Sequence, residues 1–412
     1  MKILVVVDSI NIEDSSGSKA NVALIHNLSE AGFEVLVHHY TRKDIKLQNI
    51  KTFNVPEIRF SFNYFLSRTQ QVISRNLKVN LTPFFEKKMG FSLTFFNDTK
   101  SIAKSLKKES FQPDLVLTLS KGASFRSHYA VLKLPHLHDK WVAYVHDPFP
   151  FHFYPRPYNW VEPSYEKKEA FFREVSEKAK YSAFPSQLLK EWMSSYFRNF
   201  EKTGIIIPHQ NAKYEHQNNN FPSYLDVSKF NLLHAGNLMK ERSPEGLIKG
   251  FDMFLQKNPK AKSDSQLILL GNAYDHTEKL EHYKKTIPEM YVHNGNKPFD
   301  EVYHVQKNVS VNIILESKSE ISPFLPAKFP HCIEANKIIL SLAPFYSETR
   351  RLLGNDYEFW SEVDDVEKIA FLIEKLYQLW KKNPEVSLNR RDLEEYVSVS
   401  YLQKVIYGLK KN

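Results

Sequence analysis

Residues Asn231–Phe251 read NLLHAGNLMKERSPEGLIKGF. Leu232–Ala235 is a short, mostly apolar run of strand length, and Gly236-Asn237 breaks it. A loop carrying Lys240 and Arg242 follows. Ser243-Pro244-Glu245 then opens a helix, with serine in a capping position, proline at the first turn and an acid beside the positive helix end. A strand, a glycine turn, a basic loop and a helix N-terminus make a place for phosphates. Backbone N–H groups and the helix dipole attract the anion, and Lys and Arg add full charges. The plain alternative is an ordinary strand–loop–helix connection with solvated charges.

Composition bounds the possibilities. A chain of 412 residues exceeds one ordinary core, so two domains are expected. Hydrophobic content of 42% is that of a water-soluble protein, while 14% aromatic content, with 30 Phe and 21 Tyr, is high. The formal charge of +9 suits phosphates, other anionic ligands or an acidic membrane surface. No compact basic block or known binding module points to nucleic acid. Cys332 is the single cysteine, which excludes an intrachain disulfide and a cysteine-based zinc site and fits a reducing compartment. The apolar run Ile3–Val7 is shorter than a signal-peptide core, and no run reaches spanning length. A cytoplasmic protein, soluble or peripheral on the inner membrane face, is expected.

The first half reads as repeated βα units. Ile3–Val7 is a continuous apolar strand, Asp8–Ser18 a polar loop containing Gly17, Ala20–Ala31 a helix, and Glu34–His39 the next strand. Gly17 permits close backbone approach to a ligand at the carboxyl end of the first strand, although a lone glycine more often marks a turn. Lys51–Phe96 interleaves aromatic and basic residues. It reads either as helices whose aromatics fill the core or as an insertion that touches acceptor or membrane. Asp98–Glu109 reads as a polar helix and Leu115–Leu119 as a strand. Trp141–Val145 is a strand ending in His146-Asp147, a pair able to position and deprotonate a hydroxyl, bind sugar, or simply cap the strand. The polar stretch Gln210–Ser228 reads as a linker.

The second half repeats the architecture. Gln266–Leu270 ends at Gly271-Asn272. Met290–His293 leads into Asn294-Gly295-Asn296-Lys297-Pro298. Val309–Leu315 and Ile338–Leu342 are further strands. Val366–Trp380 is an amphipathic packing helix.

This order of features resembles the family 4 glycosyltransferases of the GT-B fold. Those carry a glycine loop after the first strand, a mid-domain histidine, an (F)PS after a later strand and an (I)PHG-like strand end. The matching residues are Gly17, His146, Phe184–Ser186 and Ile207–Gln210. The stretch Glu316–Pro344, ESKSEISPFLPAKFPHCIEANKIILSLAP, resembles a family segment reading roughly P-x-K-x-x-E-Y-x-x-x-G-K-P-I, with Pro326, Lys328 and Lys337 matching. Aligned on Lys328 and the final strand, Pro323 and His331 occupy positions where classical members carry glutamates. Asn336 replaces a glycine, Ile338 a proline, and Asn237 the arginine of G-R-L-type relatives. The resemblance spans nearly the whole chain, strongest over Asn231–Pro344 and weaker before Leu115.

The resemblance implies an α/β, GT-B architecture of two Rossmann-like domains facing a central cleft. Residues 1–227 would form the acceptor domain, with the aromatic and basic insertion near 51–96. Residues 228–395 would form the nucleotide-sugar donor domain, and 396–412 a helix crossing back to the first. It implies transfer of a sugar from a nucleotide diphosphate sugar to a glycan or lipid-linked acceptor, retaining and metal-independent, with no cofactor beyond the donor. His146 and Asp147 are the catalytic candidates. Gly17, Gly236, Asn237, Lys240, Arg242, Gly271, Asn272, Lys297, Ser322, Pro323, Lys328 and His331 are the donor-binding candidates. His331 can hydrogen-bond a hydroxyl in place of the family glutamate, Pro323 cannot, and Glu320 or Ser322 could substitute. Two other readings share the architecture: a nucleotide-sugar epimerase, and a non-catalytic nucleotide-sugar-binding protein.

Overall fold

A computed structural model describes residues 1–78, 82–211 and 221–410. The chain forms two compact units. One comprises Met1–Tyr154, Tyr158–Ala212 and Ser398–Asn412; the other comprises Pro155–Pro157 and Lys213–Val397. Of the expected linker Gln210–Ser228, residues 212–220 lie outside the described residues.

The first unit is built on seven strands: β1 (Lys2–Val7), β2 (Glu34–His39), β3 (Lys51–Asn54), β4 (Leu115–Leu119), β5 (Trp141–Tyr144), β6 (Tyr181–Phe184) and β7 (Gly204–Ile206). They pair in parallel in the order β3-β2-β1-β4-β5-β6-β7. Alternate side chains of β1 feed two cores. Leu4 and Val6 join Phe125, Trp141 and Phe172, whereas Ile3, Val5 and Val7 join Val22, Ile25 and Leu28. Burial on both faces is why the strand reads as a continuous apolar run rather than an alternating one. The last helix, Val399–Gly408, completes the second of these cores with Leu402 and Ile406. Gln403 there donates to the Ala31 carbonyl at 2.7 Å.

The second unit carries β8 (Phe230–Ala235), β9 (Ser265–Gly271), β10 (Met290–Asn294), β11 (Val311–Leu315), β12 (Ile321–Ser322), β13 (Ile338–Leu342), β14 (Tyr346–Ser347) and β15 (Trp360–Ser361). Its main sheet is parallel throughout, in the order β10-β9-β8-β11-β13-β15, and β12 pairs with β14 apart from it. Both main sheets have the doubly wound order, in which the chain reverses direction beside the first strand. Crevices open at the carboxyl ends of the strands on either side of that reversal. In the first unit they are β1 and β4, in the second β8 and β11.

Several boundaries differ from the sequence reading. The first helix spans Ser16–Glu30, because the Ser15 hydroxyl accepts from Ser18 N at 3.1 Å and starts the helix early. Gly17 therefore lies in the first helical turn, not in a loop. The helix expected at Asp98 begins at Leu93, capped by Ser92, so Asp98 lies inside it and receives Tyr40, Arg42 and Arg126. The helix after β8 starts at Glu245, with Pro244 at the cap position, and Ser243 Oγ, one residue earlier, accepts from Glu245 N at 3.3 Å. The aromatic and basic stretch divides between both of its readings: Phe91 and Phe95 are in the core, while Phe60, Phe62, Phe65 and Phe84 are exposed.

The helices Glu245–Lys257 and Val366–Lys382 pack face to face over the second sheet. Gly246 and Gly250, one turn apart, make that approach possible. A Cβ at Gly246 would lie 2.2 Å from the Val363 carbonyl oxygen, and one at Gly250 would lie 2.5 Å from Ile369 Cγ2. In an open helix Gly→Ala stabilises by about 1 kcal/mol. Here Gly246→Ala should instead destabilise the unit, since overpacking against backbone costs about 1–3 kcal/mol. Urea denaturation reads the sign directly, and a stabilised variant would show that the helices can separate freely.

Candidate functional site

In the second unit the strand ends present a row of glycine and asparagine. β8 runs into Gly236-Asn237, β9 ends at Gly271 before Asn272, and β10 ends at Asn294 before Gly295-Asn296. Gly271, with φ +138°, admits no side chain: a Cβ would sit 2.4 Å from the Gly236 carbonyl oxygen. Asn237 Oδ1 accepts from Asn272 N at 3.1 Å and from its side-chain amide at 3.3 Å. The Asn272 amide also donates to Asn296 Oδ1 at 3.1 Å. Asn237 and Asn272 thus tie adjacent loops together.

Beside this row stands a cluster of charge. Lys328, immediately before the helix Phe329–Glu334, donates to Nδ1 of His234 on β8 at 3.1 Å. Its ammonium fills the space left by Gly236, where a Cβ would lie 3.1 Å from it. Arg242 donates to the Asn237 carbonyl at 3.2 Å, and its Nε is buried without a hydrogen-bond partner. Burial, and then the Arg242 charge, push the Lys328 ammonium down to about 7. Burial and the same two cations hold His234 neutral, well below the usual histidine range.

One buried carboxylate acts on this pair. Glu316, just past β11, accepts from the Ser322 hydroxyl through Oε2, and the Thr349 hydroxyl also lies against its carboxyl. Burial pushes its carboxyl up to about 7, against the hydrogen bonds of Ser322 and Thr349 and the attraction of Arg242. Pro323 is buried beside Ser322. His331 packs against the rings of Phe299 and Tyr303, with centroids 5.0 and 5.8 Å away. Lys240 is exposed on the loop after β8. Lys297 ion-pairs with Glu301 at 3.1 Å and lies over the Tyr224 ring. The structure therefore gathers Gly236, Arg242, Ser322 and Lys328, links Asn237 with Gly271 and Asn272, and engages Lys297 elsewhere.

Sequence reasoning missed His234 and Glu316. Their one signal was position, each at or just past the carboxyl end of a strand that flanks the reversal.

In the first unit the start of the helix after β1 and the turn after β4 meet at glycines. A Cβ on Gly17 would lie 3.6 Å from Gly122 N. Asn21, one turn into the same helix, donates its amide to the Ser120 carbonyl at 2.9 Å. Its oxygen therefore faces His146 Nε2 at 2.9 Å, and the imidazole is the donor. That tautomer leaves Nδ1 as an acceptor. Burial, and then His209 and His128, keep His146 neutral, well below its usual range. The His209 ring lies parallel at 6.0 Å and is itself pushed down to about 4 by burial. Asp147 is pushed up to about 6 by burial. Asp8 at the end of β1 is occupied structurally, accepting from Ser127 N at 2.9 Å and Ser127 Oγ at 2.6 Å.

Two doubly wound α/β units in one chain define the GT-B fold. The chain is similar over 100% of its length to the crystal structure of Anabaena Alr3699/HepE in complex with UDP and glucose, at 11% identity, 99% of that chain and TM-score 0.63. It is equally similar to the E. coli trehalose-6-phosphate structure bound with UDP-2-fluoro glucose, at 11% identity, 100% and 99% coverage and TM-score 0.63. A UDP-forming trehalose-phosphate synthase from Burkholderia xenovorans matches at 10% identity, 100% and 98% coverage and TM-score 0.62. No protein-family model matches the chain, and no curated protein matches it in sequence.

The Glu316 carboxyl gives the cluster a pH signature. Its folded-state value, about 7 against an ordinary 4.5, is raised. The stability it contributes is therefore complete below the ordinary value and lost as pH rises through about 7. Glu316→Gln should melt close to the parent near pH 4.5 and above it at pH 8, by an amount on the order of 2–3 kcal/mol. A difference that stays constant with pH would mean that Glu316 is not held protonated.

Proposed function

We propose that this protein is a glycosyltransferase that moves a sugar from a nucleotide diphosphate sugar to an acceptor hydroxyl on a glycan or lipid-linked saccharide. The observation that carries the reading is the pair Lys328 and Arg242 at the β8–β11 reversal. Two cations repel each other at a half-buried site, one depressed to about 7 and the other with a buried N–H unused. An anion between them would relieve both penalties, and the diphosphate is the anion that GT-B neighbours solved with UDP carry. UDP-glucose is accordingly the first donor to test.

In this mechanism Arg242 binds phosphate oxygens through its fork and Lys328 supplies a compact charge. As the glycosidic bond breaks, the leaving diphosphate gains negative charge that both cations stabilise without a metal. Glu316, where ionised, offsets part of the cationic charge before the donor arrives, and its carboxyl is the group placed to meet a donor-sugar hydroxyl. His331 takes the ribose side. In the first unit, neutral His146 accepts a hydrogen bond from a hydroxyl through Nδ1, a role that fits its depressed basicity better than proton abstraction does. Retention of configuration follows from the family resemblance.

Loss of a charge-assisted hydrogen bond costs roughly 1.5–3 kcal/mol. Arg242→Ala and Lys328→Ala should each weaken UDP binding by about tenfold to a hundredfold, and lower turnover further, since charge grows in the transition state. Variants that bind and turn over like the parent would remove the phosphate site from this crevice. An epimerase would consume donor without releasing free UDP, and a binding protein would bind it without turnover, so one assay of free UDP separates the three readings.

Lys328 adds a proton linkage. Its depressed value of about 7 means that the empty site is largely deprotonated above that pH, and a bound diphosphate draws the proton back. UDP affinity should therefore fall as pH rises above about 7. Calorimetry at pH 8 in two buffers of different ionisation heat should record net proton uptake on binding, absent in Lys328→Met. Binding without uptake in the parent would place the diphosphate away from Lys328.

A further inference from the structure

The helix Phe62–Leu77 leaves large apolar side chains in water. It packs on the helix Leu93–Leu106, with Leu66 and Ile73 half-buried. Ser61 Oγ donates to Asn97 Oδ1 at 2.6 Å, Asn97 in turn donates to the Ile58 carbonyl at 3.1 Å, and Ser67 is buried. Three of its apolar side chains face outward: Phe62 is 77% exposed, Phe65 57% and Val72 47%. Phe62, Phe65 and Val72, with Thr69 between the last two, follow helical spacing and form one outer stripe. Phe60, 90% exposed, precedes the helix, and Phe84, 64% exposed, lies on the next helix, Thr82–Met89. A helix that only covers a core keeps its apolar residues on the inward side; this one also leaves large aromatic rings in water, which marks an interaction surface.

The charge around the rings narrows the partner. Residues 57–90 carry six Lys or Arg against two Glu. Of the two acids, Glu57 is already engaged by Arg42 and Arg68 at 3.4 and 3.3 Å. Arg75, Lys87 and Lys88 are exposed. A second copy of the chain would bring the same excess of cations against itself. Phenylalanine rings with a fringe of lysine and arginine match instead an apolar boundary beneath negative headgroups.

We propose that this face of the first unit docks the protein on an anionic lipid surface, the rings entering the headgroup–acyl boundary and the cations resting on the headgroups. The proposal rests on the exposed rings and cations of these two helices and stands independently of the transferase reading.

Sedimentation of the full chain with vesicles tests it, using phosphatidylcholine alone and phosphatidylcholine mixed with phosphatidylglycerol. The parent should partition onto the mixed vesicles at least about tenfold more strongly, and high salt should erase the difference. The variant Phe62→Ser/Phe65→Ser/Phe84→Ser should keep the parent's melting temperature, because the rings are exposed, and lose binding by about tenfold or more. Arg75→Gln/Lys87→Gln/Lys88→Gln should lose about fivefold per cation on mixed vesicles only. A parent that sediments with neither vesicle overturns the proposal, as does a phenylalanine variant that binds like the parent. So does a concentration-dependent dimer in the ultracentrifuge that the same variant abolishes, which would give the face to a second copy.

Discussion

The second unit is organised around a repulsion. Arg242 lies close enough to Lys328 to depress its ammonium, with Glu316 as the buried carboxylate acting on both. Left in water, these groups would separate by a rotamer change, because long side chains are free to move. Here they are fixed from behind: His234 receives the lysine, the Asn237 carbonyl receives the arginine, and Ser322 holds the carboxylate. The fold maintains an electrostatic tension that an anionic ligand would release, and such preorganised charge is worth more than charge recruited after binding.

The tension is a consequence of topology. In a doubly wound sheet the connections on either side of the first strand leave in opposite directions, so no loop crosses the gap. Three stretches distant in sequence reach that gap together: the end of β8 with its following loop, the end of β11, and the segment before the helix Phe329–Glu334. Glycine decides how closely they approach. Gly236 leaves room for the lysine, and Gly271 lets its strand end lie against the Gly236 carbonyl. Gly246 and Gly250 then seat the supporting helix against its neighbour behind the sheet.

The first unit repeats the geometry with different chemistry. Gly17 and Gly122 occupy its crevice, where hydrogen bonding rather than net charge dominates. Asn21 fixes the tautomer of His146, and burial keeps that imidazole and His209 uncharged. A neutral, oriented acceptor suits hydroxyl-bearing molecules, as a cationic crevice suits phosphates. The contrast between the units is thus a contrast in desolvated charge on one backbone plan.

The sequence alone determined the βα repetition, the glycine-ended strands and the basic loop after β8, because parallel strands buried on both faces leave continuous apolar runs that their own residues define. It likewise marked Arg242, a cation just past a strand end, and Lys328 through the resemblance of its segment to the family pattern. It could not supply His234 or Glu316, whose meaning lies in neighbours far along the chain, nor the diversion of Lys297 to Glu301. Nor could it say which aromatics of Lys51–Phe96 turn inward: Phe91 and Phe95 stack in the core while Phe62 and Phe65 face water. Those outcomes were decided by tertiary structure, because burial and charge coupling depend on what packs against a residue, and periodicity records only that a helix has two faces.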